Sequence, residues 1–166
     1  PLVTYWFTGR DLKAALEIGV GAKSLGDDAY QLQFSGLEVD VEQSRSLFQR
    51  VTGARVNTLS GVQTVDLTSS TACYKVVTTL YLAGFFNLAG SLTGVPIAAR
   101  EKDCVTPTDP FMRLLDANPM MDGVQEVKNY QALLGFVSAF PDTDSDGVPN
   151  VPASYGMAAG RLRSTP

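Results

Sequence analysis

The sequence predicts one α+β domain, a mixed sheet with packed helices, on three observations. Leu2–Phe7 and Cys73–Leu82 are β-branched and aromatic runs of strand length. Residues 32–41 alternate apolar with polar, the pattern of half-buried strands. Leu12, Ala15, Leu16 and Gly19 recur at i, i+3, i+4 and i+7, the spacing of one helical face.

Each element follows in order. Beyond the opening strand, Thr8 reads as a helix N-cap with Asp11 three residues later, a variant of the capping box. Gly19 and Gly21 are expected to end that short helix. Tyr30, Leu32 and Phe34, then Leu37, Val39 and Val41 after Ser35-Gly36, predict two short strands or one strand bent at the glycine. Another strand is expected around Arg55–Asn57, and Val62, Val65 and Leu67 flank a further turn and strand. Cys73–Leu82 is the strongest strand and is expected at the centre of the sheet. A helix then follows directly, because Leu82, Phe85, Phe86 and Ala89 share a face.

Thr93–Pro110, with its prolines and Arg100–Asp103 charge cluster, reads as a long surface excursion, and Phe111–Leu115 as a short helix after Pro110. Asp122 is expected to cap a longer helix that buries Val124, Val127, Leu134 and Val137, with Leu133 and Phe136 widening that side. Pro141 ends it. The chain thus divides into a domain over residues 1–140 and an Asp-, Pro- and Gly-rich loop and tail over 141–166.

Composition excludes several function classes. A net charge of −4, with Lys and Arg scattered, argues against binding a nucleic-acid backbone. No apolar run reaches the ~18 residues of a spanning helix, so no membrane span is expected. The 166 residues include no histidine, which removes the commonest triads, dinuclear phosphatase centres and catalytic zinc sites. The chain is therefore expected to be non-catalytic by itself. It begins at Pro1 without a Met, as expected of a processed piece or a fragment.

Cys73 and Cys104 match no metal-binding spacing, which leaves a disulfide or two buried thiols. A bridge would require an oxidising compartment. Asp142, Asp144 and Asp146 alternate before Gly147, as in the first half of a calcium loop, and Asn150 can add an oxygen at position 9. Ala153 stands where an EF-hand has Glu, so the pattern is that of a short extracellular calcium repeat or of an acidic solvated linker. Arg45, Arg50 and Arg55 form either an anion patch or ordinary surface charges. Trp6 beside Tyr5 reads as core. Ser35-Gly36 has no nucleophile-elbow context.

Four collinear segments carry a family resemblance. FTGRDLKAALEIGVG (Phe7–Gly21), LQFSGLEVDVEQS (Leu32–Ser44), RVTGARVN (Arg50–Asn57) and YKVVTTLYLAG (Tyr74–Gly84) resemble, in order, the C-terminal domain of the 5'-nucleotidase, UDP-sugar hydrolase and cyclic-nucleotide phosphodiesterase family. The resemblance implies a nucleotide-recognition domain that grips the base between two aromatic rings. Its partner would be an N-terminal calcineurin-like metallophosphatase domain carrying a dinuclear metal centre, in a periplasmic, cell-surface or secreted parent. That family's first stacking Phe, with its phosphate-side Asn and Arg, would lie before Pro1. Its second stacking Phe follows a Gly-Gly-Asp-Gly loop, and here that place reads Gly84-Phe85-Phe86-Asn87. Phe85 or Phe86 then substitutes as the substrate-binding ring, or both belong to the helix core. The alternative function is a calcium-binding or scaffold domain that has lost nucleotide binding.

Overall fold

The computed structural model describes residues 1–22, 32–94, 96–156 and 162–165. Strand β1 (Leu2–Thr8) runs into helix α1 (Gly9–Ala22), followed by β2 (Leu37–Glu42), β3 (Val51–Thr58), β4 (Gly61–Thr64) and β5 (Cys73–Thr79). Helix α2 (Leu80–Thr93), a 3-10 turn (Pro110–Met112), helix α3 (Asn129–Val137), a second 3-10 turn (Ala153–Gly156) and β6 (Leu162–Thr165) complete the order. The α+β class holds, but the strands divide into two sheets. β1 and β5 form an antiparallel pair, and a mixed sheet of order β4-β3-β2-β6 has one parallel pairing, β2 with β6. Cys73–Thr79 is thus not the centre of the larger sheet. The 141–166 stretch, expected as loop and tail, returns to that sheet as β6.

The first turn of α1 is built as the capping pattern implies. The Thr8 amide and hydroxyl donate to Asp11 Oδ2 at 3.1 and 2.5 Å, and the Asp11 amide donates to Thr8 Oγ1 at 3.2 Å. Gly9 is required because a Cβ there would lie 1.8 Å from the Asp66 carbonyl oxygen. Instead, the Gly9 amide reaches the Ala72 carbonyl, and Arg10 binds the Ser69 and Thr68 carbonyls. Gly19 and Gly21 do not end the helix. Leu32 packs so closely on Gly19 that a Cβ would come within 2.6 Å of it, so that glycine serves packing inside the helix.

Helix α1 is the shared wall of both sheets. Val3, Tyr5 and Phe7 of β1 meet Leu12, Ala15, Leu16 and Val20 in one core with Val39, Val41, Val51 and Ala54 of the larger sheet. Two acidic side chains of α1 are buried with this apolar face. Asp11 accepts the Ala98 amide at 3.0 Å and Arg100 Nε at 3.2 Å, while Glu17 accepts the Arg50 and Val51 amides at 3.0 and 2.8 Å. Both carboxylates therefore satisfy donors of distant chain segments.

Several expectations change with the pairing of β1's outer edge. The Trp6 and Arg100 amides exchange hydrogen bonds with each other's carbonyls, the Thr4 amide reaches the Arg113 carbonyl, and the Leu115 amide reaches the Leu2 carbonyl. Residues 97–100 are consequently half-buried structure and not a surface excursion. The helix expected after Pro110 shrinks to one 3-10 turn, because Leu114 bridges to Val3.

The helix expected from Asp122 begins only at Asn129. Its first residues are extended instead: the Leu2 amide binds the Val127 carbonyl, the Val127 amide binds the Leu115 carbonyl, and Asp116 bridges Glu126. α3 buries none of its residues, and Leu133, Leu134 and Phe136 are exposed. Phe136 instead joins Phe140 and Tyr155 in an edge-to-face cluster with centroids 5.0–5.6 Å apart. Leu32–Phe34 has no regular structure, β2 alone represents the expected strand pair, and Tyr30 lies outside the described residues.

Replacing Glu17 strips two amides of β3's entry of their acceptor. Glu17→Ala is expected to lower unfolding stability by about 3 kcal/mol, and Glu17→Gln, which keeps one carbonyl acceptor, by about half that. Urea denaturation of the three proteins checks the order, and an unchanged midpoint in Glu17→Ala would contradict it.

Candidate functional site: an aromatic groove at the start of helix α2

The register Leu2↔Thr79 brings the start of β1 beside the end of β5. There the Leu80 amide donates to the Pro1 carbonyl at 3.0 Å. Thr79 stays extended (φ −72°, ψ 150°) and its hydroxyl caps the Leu82 amide at 3.2 Å, so strand passes into helix without a loop. The first turns of α2 then carry Tyr81, Phe85 and Leu88 outward on one side. Across from them stands Phe111, held on the 3-10 turn by an Asp109 cap whose Oδ1 accepts the Phe111 amide at 2.9 Å.

These residues line a groove of about 860 Å³, to which Thr79, Asn129 and the Tyr81 hydroxyl add polar groups. Tyr81 is 85% exposed, Phe85 40% and Phe111 48%, a concentration of open ring surface that a folded chain ordinarily buries. No Lys or Arg is among the described residues lining it. The groove is thus chemically suited to a flat ring, and none of its described side chains offers a counter-charge to a phosphate.

The two phenylalanines separate. Phe86 is buried, at 6% exposure, and sits edge-on to Phe7 with centroids 6.3 Å apart, so it is a core residue. Phe85 is the ring left open, one position further round the helix.

The remaining sequence candidates are placed as follows. Cys73 and Cys104 form a disulfide with Cα atoms 6.0 Å apart, which ties the start of β5 to the loop after Arg100. The carboxylates of Asp142, Asp144 and Asp146 come within 4.8 Å of one another on an exposed loop. The Gly147 and Ser145 amides donate to Asp142, and the Gly147 bond in particular holds its carboxyl below the usual range. Asn150 presents its nitrogen and not its oxygen to the three: Nδ2 donates to Asp144 Oδ2 at 3.4 Å, while Oδ1 accepts both the amide and hydroxyl of Thr143, at 2.5 and 2.7 Å.

The arginines do not assemble into an anion patch. Arg45 pairs with Glu42, Arg50 Nε binds the Arg45 carbonyl, and Arg55 forks onto Asp40 at 2.6 and 2.7 Å. That fork holds the Asp40 carboxyl below its ordinary value. Sequence reasoning missed Tyr81 and Phe111 as groove residues. Tyr81 falls off the apolar face of α2, which was a usable signal. Phe111 arrives only through the long-range docking of its turn.

Residues 1–88 match the family described as "5'-nucleotidase, C-terminal domain". No curated protein matches the chain. Among solved structures, the chain is similar to a 5'-nucleotidase precursor from Thermus thermophilus, at 32% identity over 50% of this chain and 16% of that one, with a TM-score of 0.44. It is also similar to the NAD nucleotidase NadN from Haemophilus influenzae, at 20% identity over 55% of this chain and 17% of that one, with a TM-score of 0.45. The matched region therefore spans less than a fifth of either protein. With the family match covering more than half of its residues, the chain belongs to the 5'-nucleotidase C-terminal domain family.

Proposed function

We propose that this chain is the substrate-recognition part of a metal-dependent 5'-nucleotidase-like phosphohydrolase, holding the base of a nucleotide and performing no chemistry by itself. The observation that carries the reading is the groove at the start of α2, with the open rings of Tyr81, Phe85 and Phe111 on its walls. A base stacked on an aromatic ring gains about 1–3 kcal/mol. Because no cationic side chain lines the groove among the described residues, the phosphate is left to project toward a second domain. That domain would be a calcineurin-like metallophosphatase of the same parent, whose two metal ions activate water for attack on phosphorus. The disulfide supports a periplasmic, cell-surface or secreted parent, since such bridges persist in oxidising compartments.

A second reading, a calcium-binding scaffold that has lost base recognition, is favoured by the convergence of Asp142, Asp144 and Asp146. In it the three carboxylates would hold one hard cation, with Asn150 contributing only after its side chain leaves Thr143.

The two are separated by titration of the isotope-labelled chain. Adenosine is expected to bind at about millimolar Kd and to shift the amides of Tyr81, Phe85 and Phe111. AMP should bind within about two-fold of adenosine, as expected without a Lys or Arg side chain to anchor the phosphate. Phe85→Ala should weaken both at least five-fold, the lower end of one lost stacking contact. Absence of shifts at these residues with either ligand would overturn base recognition.

Calcium is tested on the same sample. The scaffold reading predicts amide shifts at residues 142–150 below millimolar Ca²⁺ that disappear in Asp144→Asn. If calcium leaves those amides unmoved, that reading fails.

A further inference from the structure

Helix α2 carries a glycine where its backbone does not ask for one. Gly84 lies inside the helix, past the first turn that Thr79 caps, and its φ is not positive. A glycine at such a place weakens a helix relative to alanine, through backbone entropy and the lack of a side chain. The reason for it lies in the neighbour that occupies the place of the missing side chain.

That neighbour is Phe111. A Cβ on Gly84 would lie 3.1 Å from Phe111 Cζ and 3.9 and 4.0 Å from its two ε carbons. These distances fix how the ring stands. Both ε carbons are well beyond Cζ, and almost equally so, as in a ring that points its tip at the helix; a ring lying face-on would hold the three atoms at closer to one distance. Phe111 therefore meets Gly84 end-on, with neither face pressed against that contact, and the residue is 48% exposed.

The backbone beneath Phe111 is pinned. Asp109 Oδ1 accepts the Phe111 amide, the Met112 amide donates to the Asp109 carbonyl, and the Arg113 amide donates to the Pro110 carbonyl. The Arg113 carbonyl in turn accepts the Thr4 amide at 2.9 Å, which ties the turn to β1. A methyl group on residue 84 would thus be met by the ring and not by the chain. Carbon atoms in comfortable contact are about 3.5–4.0 Å apart, so a separation of 3.1 Å drives the ring tip aside. Half exposed, the ring has room to swing; what it loses is its orientation.

That orientation matters because Gly84 and Phe111 both line the α2 groove, with Tyr81 and Phe85. Phe111 makes no ring contact with either of them among the described residues, so its face toward the groove is open. Stacking depends on how two ring faces overlap, and a swung ring forfeits part of it.

We propose that Gly84 is the positioning residue of the groove: by omitting a side chain it seats the tip of Phe111 and holds that ring's face in line for a stacked base. This role rests on base recognition at the groove and adds what orients the wall across from Tyr81 and Phe85.

The test compares the full chain with Gly84→Ala, Phe111→Ala and the double variant. Gly84→Ala should bind adenosine about three-fold more weakly. Its Tm should equal or exceed that of the wild type, because alanine favours a helix. A residue that merely supported the fold would lower Tm together with binding. Phe111→Ala should weaken adenosine at least five-fold. In that background Gly84→Ala should add nothing, since the ring through which it acts is gone. Without ligand, a nuclear Overhauser contact between Phe111 Hζ and the Gly84 α protons is expected in the wild type. The proposal is overturned if that contact is missing, if Gly84→Ala binds adenosine like the wild type, or if it weakens adenosine equally when Phe111 is alanine. Failure of base recognition shows separately, as an absence of adenosine shifts at Tyr81, Phe85 and Phe111 in the wild type, and it removes the positioning role as well.

Discussion

Two carboxylates on one helix, Asp11 and Glu17, set the spatial relation of almost everything else described, because each accepts backbone donors from another element. Glu17 reaches the two amides where the chain enters β3, and so fastens α1 to the larger sheet. Asp11 reaches Ala98 and Arg100, and so fastens α1 to the segment that pairs with β1. Buried acids are costly unless they are hydrogen-bonded. Once they are, their partners cannot shift without exposing a charge to an apolar surrounding. The helix thereby couples two sheets that share no strand pairing among the described residues.

That coupling is what makes the surfaces on α2 possible. The β1–β5 pair delivers α2 directly from a strand, so the helix begins at a defined place with Phe86 inward and Phe85 outward. The segment over residues 97–111, positioned by Asp11 and the disulfide, then supplies Phe111 to the groove. Adjacent phenylalanines in sequence thus face different directions, one to the core and one to the groove, a consequence of the ~100° turn between neighbouring residues.

Local signals were legible where the determinants lie within a few residues. Thr8 with Asp11 announced the start of α1, the alternation through Leu37, Val39 and Val41 announced β2, and the four family segments lie in the region that matches the family. The failures share a cause. Gly19 looked like a helix end because its neighbour Leu32 is thirteen residues away, and the sequence pattern does not reveal that contact. Residues 122–128 looked helical by apolar spacing, but the open edge of β1 and the strand-like run at 114–117 supplied backbone partners that extended them. The groove was legible only in part: Phe85 was a candidate, but which of two phenylalanines turns outward depended on where Phe7 and the 3-10 turn dock.

The claim that Asp11 and Glu17 act as two separate fastenings is open to one direct measurement, amide hydrogen exchange in Asp11→Ala under native conditions. The account predicts that the Thr8 and Ala98 amides exchange about ten-fold faster or more, while the Arg50 and Val51 amides, held by Glu17, keep their protection. Equal acceleration at all four sites, or none at Ala98, would contradict it.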